Sequence, residues 1–499
     1  MSPVVDTRPT PGQPRSYEFP TARRHRLPNG LTLQTVDLPG RPLVSAGLIL
    51  RNGAVDEPNE VGGATILAAR ALSEGTERFD AIELVEAAER LGAGLHADAS
   101  WDATSAGVEV PADRLEAALE LLAELIHRPT FPTSEVDRLR EERLNDILQA
   151  RADPRRRAEE AFTETIYTPE SPYRRPASGL SETVEGLDRE TMRTAYRRGL
   201  DPARGTFIVA GDLRGLDVPR LVGDLFGSWS AVPEAQPTAP ITARSAVDSR
   251  RVRVIHRPGS VQTELRIGNV GVPRRTPDFH AISVAGAILG GLFNSRLNMK
   301  LREEKGYTYG AGAGWDLRRG PGPFGARAAV NTEVTVAALK DLLAELERMR
   351  AEPVTDQELR AARDYLVGVF PIRFETPGAV LGALAGLFVN ELPDDELARY
   401  RERIDAVTIE DVQRVANEHI DVDRLAIVLV GDADAFGSDL VAADVGPVAV
   451  ERDPLPPEGP EEGVDELLGS VDRVEGPLLP VDDDVLDDAS KEEPDGRPA

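Results

Sequence analysis

The chain repeats itself. Leu38-Pro39-Gly40 through Pro58 matches Arg257-Pro258-Gly259 through Pro277 without a gap, at an offset of 219 residues. Trp101-Asp102 returns as Trp315-Asp316 at an offset of 214, and Leu121–Leu125 returns as Leu342–Leu346 at 221. Arg204 with Ile208-Val209-Ala210-Gly211-Asp212 returns as Arg424 with Val428-Leu429-Val430-Gly431-Asp432 at 220. One such match is chance; four in the same order at nearly one spacing are a duplication. A period this long is that of a domain, not of a solenoid unit.

Each copy reads in one order. A hairpin comes first, Leu31–Val36, a Pro-Gly turn and Val44–Arg51 with apolar alternation. A buried helix follows, Gly63–Leu72 in the first copy and Phe279–Lys305 in the second. Next come a strand around the Trp-Asp pair and an amphipathic helix, with Leu115, Leu119, Leu122 and Ile126 at helical spacing. More helix precedes an apolar strand ending in Gly-Asp. This order predicts an α+β chain of two homologous domains, each a mainly antiparallel sheet covered by helices on one face. The stretch between the copies, with Pro233, Pro237 and Pro240, reads as a solvent-exposed linker. The expected layout is a disordered N-terminus 1–15, a first domain 16–228, a linker 229–250, a second domain 251–437 and an acidic disordered tail 438–499. Two such domains on a linker would make an open clamp, half of a clamshell.

Charge narrows the function classes. The formal net charge is −27, which argues against nucleic acid or an anionic membrane surface as partner. From Glu451 to Ala499 there are 17 Asp/Glu against 4 Lys/Arg, so nearly half of the excess sits in the tail. There is no Cys, hence no disulfide, thiolate metal site or Cys nucleophile. The apolar stretches Ala281–Phe293 and Gly378–Val389 fall short of a membrane span and read as buried helices. Met1–Arg15 has no apolar signal core, which predicts a cytoplasmic protein and leaves a periplasmic one open.

The second copy carries Ile288-Leu289-Gly290-Gly291, Asn294-Ser295-Arg296-Leu297 and Leu301-Arg302-Glu303-Glu304-Lys305-Gly306-Tyr307-Thr308-Tyr309. With the duplication, this segment resembles the insulinase/pitrilysin family of zinc peptidases, above all the bacterial two-subunit branch related to mitochondrial processing peptidase. The resemblance spans roughly residues 20–435. It implies that Arg302 and Tyr309 contact substrate in a peptidase active site. Their chemistry suits that role: a guanidinium fork and a phenol O–H are donors for a peptide carbonyl becoming an oxyanion. Gly306 should end the helix and place Arg302 in its last turn, with Tyr309 early in the next strand and Tyr307 the core residue of the two tyrosines. On spacing alone, a surface Arg beside Glu303 and a Tyr packed on a sheet is the plainer alternative.

The resemblance also implies a motif that is missing. Such peptidases hold zinc on the first helix with His-x-x-Glu-His, two imidazoles a turn apart and a Glu base between them. Anchored on Gly63 and Gly75-Thr76, those slots fall here on Ile66, Ala69 and Arg70. None ligates zinc. The further carboxylate slot falls near Asp146, which alone also reads as a solvated helix-face charge. Arg70 would either oppose a metal electrostatically or snorkel to solvent. The six histidines, His25, His96, His127, His256, His280 and His419, include no two within a helical turn. The chain therefore reads as a metal-free subunit whose homologous partner carries the intact motif and the zinc, acting on unfolded peptides. The alternative is a scaffold or peptide-binding protein of the same fold.

Overall fold

The computed structural model describes residues 16–233 and 241–452. The expected disordered N-terminus, part of the linker and most of the acidic tail lie outside the described residues. Twelve strands form two six-stranded sheets among the described residues. The first holds β1 Arg23–Arg26, β2 Thr32–Asp37, β3 Leu43–Leu50, β4 Gly94–Ala99, β5 Thr104–Pro111 and β6 Gly205–Gly211, in the order β1-β2-β6-β3-β5-β4. The second holds β7 Arg251–His256, β8 Gln262–Val270, β9 Ala311–Trp315, β10 Pro323–Asn331, β11 Ala426–Gly431 and β12 Val448–Arg452, in the order β12-β7-β11-β8-β10-β9. Five strands of one sheet match five of the other, strand for strand. Only the sixth differs: β1 runs antiparallel to β2, whereas β12 runs parallel to β7.

The expected hairpin does not form. β6 lies between β2 and β3, parallel to the first and antiparallel to the second, and β11 stands likewise between β7 and β8. The reason lies in β6 itself, where all seven residues are buried. A strand apolar on both faces belongs at the centre of a sheet, with a neighbour on each side.

The helices of the first half are α1 Ala64–Ala71, α2 Ala81–Arg90, α3 Leu115–His127, α4 Thr133–Ala152, α5 Pro154–Ile166, α6 Ser181–Val184, α7 Arg189–Gly199 and α8 Val218–Phe226. Those of the second are α9 Phe279–Gly286, α10 Thr335–Ala351, α11 Asp356–Val369, α12 Pro377–Val389, α13 Tyr400–Ala406, α14 Ile409–His419 and α15 Ala433–Ala442. Most cover one face of their own sheet, as expected. Strand alternation shows that the other face is covered too. On β6, Phe207 and Val209 join the first half's own core, while Ile208 and Ala210 face Val380, Leu384 and Leu387 of α12. On β11, Ile427 and Leu429 face inward, while Ala426, Val428 and Val430 meet Phe162 and Ile166 of α5. Each half lends one helix to the far sheet. Both lent helices begin alike, a capping side chain (Asp153 or Thr376) followed by Pro.

The halves thus do not hinge on a bare linker. Besides the exchanged helices, Arg319 of the second half inserts into the first, 3.0 Å from Asp56, and its backbone N–H donates to Asp102 at 2.9 Å. The described end of the linker is itself fixed, with Ser245 bridging to Tyr167 and Val247 buried. The second domain also runs past 437, since α15 and the paired strand β12 carry ordered structure to Arg452. Backbone pairing with β7, absent from any local pattern, is what recruits that segment. Among the described residues no single helix is long and apolar enough to cross a membrane.

Candidate functional site

The first helix of the first half is held by its N-terminus. Gly63 stands at φ 99°, and a side chain there would meet the Ser178 carbonyl at 2.7 Å. Glu57 accepts the N–H groups of Gly63 (2.7 Å) and Thr65 (2.9 Å) and pairs with Arg175 at 2.8 Å, all buried. Burial pushes the Glu57 carboxyl up, against the pull of Arg175 and the two N–H groups. The helix so placed presents Ala69 to the core, Ile66 half-buried and Arg70 exposed. Arg70 neither snorkels free nor sits in a pocket: it reaches Glu142 of α4 at 3.3 Å. Glu142 is shared with Arg138, which also binds Glu74 and Glu135, each at 2.7 Å. Asp146 is exposed and lies 3.9 Å from the buried guanidinium of Arg143. Arg143 donates to the carbonyls of Ser178 and Gly179. An ion-pair network ties α1 to α4, with two guanidinium groups close by.

The corresponding helix of the second half is broken. The expected continuous helix over Phe279–Lys305 is α9, a π-helical turn Ala287–Gly291, an extended residue at Leu292, and a second π-helical stretch Asn298–Glu304. Gly290 presses on β9 so closely that a Cβ would stand 2.1 Å from the Ala313 nitrogen. Arg302 lies near the end of the second stretch and Gly306 follows at φ 65°, as expected of a helix terminator. Tyr309 precedes β9 instead of lying on it, because Thr308 and Gly310 close a small turn that lifts the segment off the sheet. Tyr307 packs on the core. Tyr309 is 93% exposed, and the Arg302 side chain 39%. Arg302 lies over the ring of Phe293, 4.6 Å from its centroid, with Glu303 at 3.5 Å. Among the described residues no hydrogen bond joins Arg302 to Tyr309.

The family description "Insulinase (Peptidase family M16)" matches residues 34–175, and "Peptidase M16 inactive domain" matches 186–366. The chain belongs to the insulinase family. It is 28% identical over 408 residues to an uncharacterized zinc protease of Streptomyces coelicolor, covering 80% of this chain and 87% of that one. It is 20% identical to the non-peptidase homolog YmxG of Helicobacter pylori, covering 76% and 87%. A crystal structure of a peptidase M16 inactive domain from Pseudomonas fluorescens has the same fold, with a TM-score of 0.76, 24% identity, and coverage of 82% and 98%.

This member of the insulinase family lacks the metal motif of its first domain. A divalent cation does not fit there: a sec-butyl side chain, a methyl group and an ion-paired guanidinium offer it no electron pair, and Arg70 and Arg143 repel it. Two other His/Asp/Glu groups among the described residues lie close enough to hold an ion, and neither includes a slot residue. In one, the His256 Nδ1 already accepts the Ala433 N–H at 3.0 Å; in the other, Asp278 is taken by Arg414 and His419. Sequence reasoning missed Glu142, Phe293 and Asn298. The spacing of Arg138 and Glu142, one helical turn, was the available signal for the first.

Proposed function

We propose that this chain is the metal-free subunit of a two-chain zinc peptidase and supplies Arg302 and Tyr309 in trans. The observation that carries the reading is a contrast within one molecule. The metal slots are filled by Ile66, Ala69 and an ion-paired Arg70, while Arg302 and Tyr309 stand exposed on the second half. A tyrosine this exposed and a half-exposed arginine seven residues before it both present donors to a ligand.

In the partner, a homologous chain with an intact His-x-x-Glu-His, zinc would activate the attacking water. This chain's residues bind and orient. The Arg302 fork and the Tyr309 O–H donate to the carbonyl oxygen of an unfolded peptide, and their bonds strengthen as that oxygen gains charge. The test is reconstitution with the homologous chain and hydrolysis of a fluorogenic peptide. The double variant Arg302→Ala/Tyr309→Phe should assemble normally and lose most of the turnover; unchanged turnover would refute the trans role. The isolated chain should carry no stoichiometric zinc by elemental analysis.

The second reading is a scaffold or peptide-binding protein without turnover, favoured by the likeness to a relative named as a non-peptidase homolog. A complex that binds peptide but never cleaves it, whatever the metal content of the partner, would select that reading.

A further inference from the structure

We infer that Phe293 and Asn298 are positioning residues for Arg302 and Tyr309, an inference that rests on the trans role proposed above. At Leu292 the backbone turns extended (φ −109°, ψ 158°) and throws Phe293 onto the surface, where it is 63% exposed. A ring this exposed contributes little to the core. What it does contact is the Arg302 guanidinium, 4.6 Å above its centroid. A cation–π contact restrains the guanidinium through its flat face and uses none of its five N–H donors. With Glu303 3.5 Å from Nε, the Nη groups of the fork stay available for a carbonyl oxygen while the side chain is held in place.

Asn298 fixes the frame around that contact. Its amide donates to the Leu292 carbonyl at 3.1 Å, and its Oδ1 accepts the Ala311 N–H at 2.9 Å. Leu292 immediately precedes Phe293, Ala311 opens the strand two residues after Tyr309, and Asn298 lies about one helical turn ahead of Arg302. One half-buried side chain thus ties together the three segments that carry Phe293, Arg302 and Tyr309. Neither Phe293 nor Asn298 offers a group that would take part in bond breaking. Their role is to hold other groups still.

Two measurements test this. In the reconstituted complex, Phe293→Leu should lower kcat by ~10-fold or more with little change in KM, since small misplacements of a catalytic group are costly. Phe293→Trp, which keeps the aromatic face, should recover most of that loss. In an Arg302→Ala background, Phe293→Leu should add nothing. In the isolated full chain, the Arg302 Nε–Hε resonance should show an upfield ring-current shift that Phe293→Leu abolishes and Phe293→Trp retains. Asn298→Asp keeps the acceptor for Ala311 and loses the donor to Leu292, so it should lower kcat and weaken the same shift. A wild-type kcat in Phe293→Leu where Arg302→Ala is impaired, or an Arg302 resonance indifferent to residue 293, overturns the role of Phe293. Wild-type behaviour of Asn298→Asp in both measurements overturns that of Asn298. If Arg302→Ala/Tyr309→Phe itself retains turnover, the trans role fails, and the resonance still reports whether Phe293 holds Arg302.

Discussion

Helices α5 and α12 occupy the same place in the two halves, yet they seat on the opposite sheets by different physics. α12 is apolar along nearly its whole length, and its Val380, Leu384 and Leu387 lie on Ile49, Ile208 and Ala210. α5 is charged, and its contact is mixed. The Phe162 ring fills the space over Gly268 and Gly325, where a Cβ at Gly268 would stand 2.9 Å from it. Around that knob, Arg253 binds Glu164 at 2.9 Å and Arg266 binds Glu159 at 2.8 Å. The duplicated frame thus accepts either chemistry, provided a helix of that length arrives there. The same contrast runs through the first helices: α1 is straight, short and inert, whereas its counterpart breaks at Leu292 and exposes Phe293 and Arg302. Shared strands set the architecture, and a few side chains and one helix break set what each half can do.

The most severe way to break this contrast is Phe162→Ala, which empties the glycine-floored seat of α5. It should cost about 3–5 kcal/mol of unfolding free energy, the range for a buried aromatic truncated to Ala. A loss below ~1 kcal/mol by urea denaturation would show that the ion pairs, not the ring, hold α5. Next in size is Tyr309→Phe in the reconstituted complex. Removing one oxyanion donor should cost ~10²–10³ in turnover, about 2.7–4 kcal/mol, with the unfolding midpoint unmoved. Glu159→Gln removes one of the two carboxylates on the Arg266 guanidinium, only 4% exposed, and leaves Glu264 at 2.9 Å. It should cost about 1.5–3 kcal/mol, the range for hydrogen bonds to charged groups, read from the same denaturation curves.

A pH series sharpens the comparison, because a half-buried histidine, His280, packs against Phe279 and Tyr400 in the second half. Burial holds the His280 imidazole down at about 4, against Glu396 at 3.7 Å and helped by Arg403 and Arg274. The unfolded chain takes up that proton near pH 6.5. The contribution is therefore complete above about 6.5 and is lost as the pH falls toward 4. His280→Gln should flatten the decline of the urea midpoint between those values; an unchanged decline would assign it to other groups. The smallest effect belongs to the vacated metal slot. Arg70→Gln removes an exposed ion pair, so stability should change by no more than ~1 kcal/mol and turnover of the complex should stay at the wild-type rate.

Much of this was written in the sequence. The duplication and the positions of the matched strands follow from residue identity and spacing, and the family resemblance implies the missing ligands at Ile66, Ala69 and Arg70. Strand order did not, because alternation of apolar residues says which face a side chain takes and not which strand lies beside it. Nor did the exchange of α5 and α12, since the charged pattern of α5 gives no hint that it covers a sheet from the other copy. The sequence leaves Arg70 between opposing a metal and reaching solvent, because α4 offers several acids and only the packing of α1 on α4 selects Glu142. The expectation of Tyr309 on a strand fails because the turn at Thr308 depends on two hydrogen bonds of one hydroxyl with Gly310. The segment around β12 reads as the start of an acidic tail, and its order comes from pairing with β7.

The reciprocal loan of α5 and α12 has a bearing on ancestry. Two identical single-copy chains, each swapping one helix into its twin, would close the same pair of cores by twofold symmetry. Joining such twins head to tail would give one polypeptide with this arrangement, after which each copy was free to drift. Either half produced by itself would then leave the outer face of its central strands bare and should self-associate, while a cut within the linker should leave the two fragments clasped together.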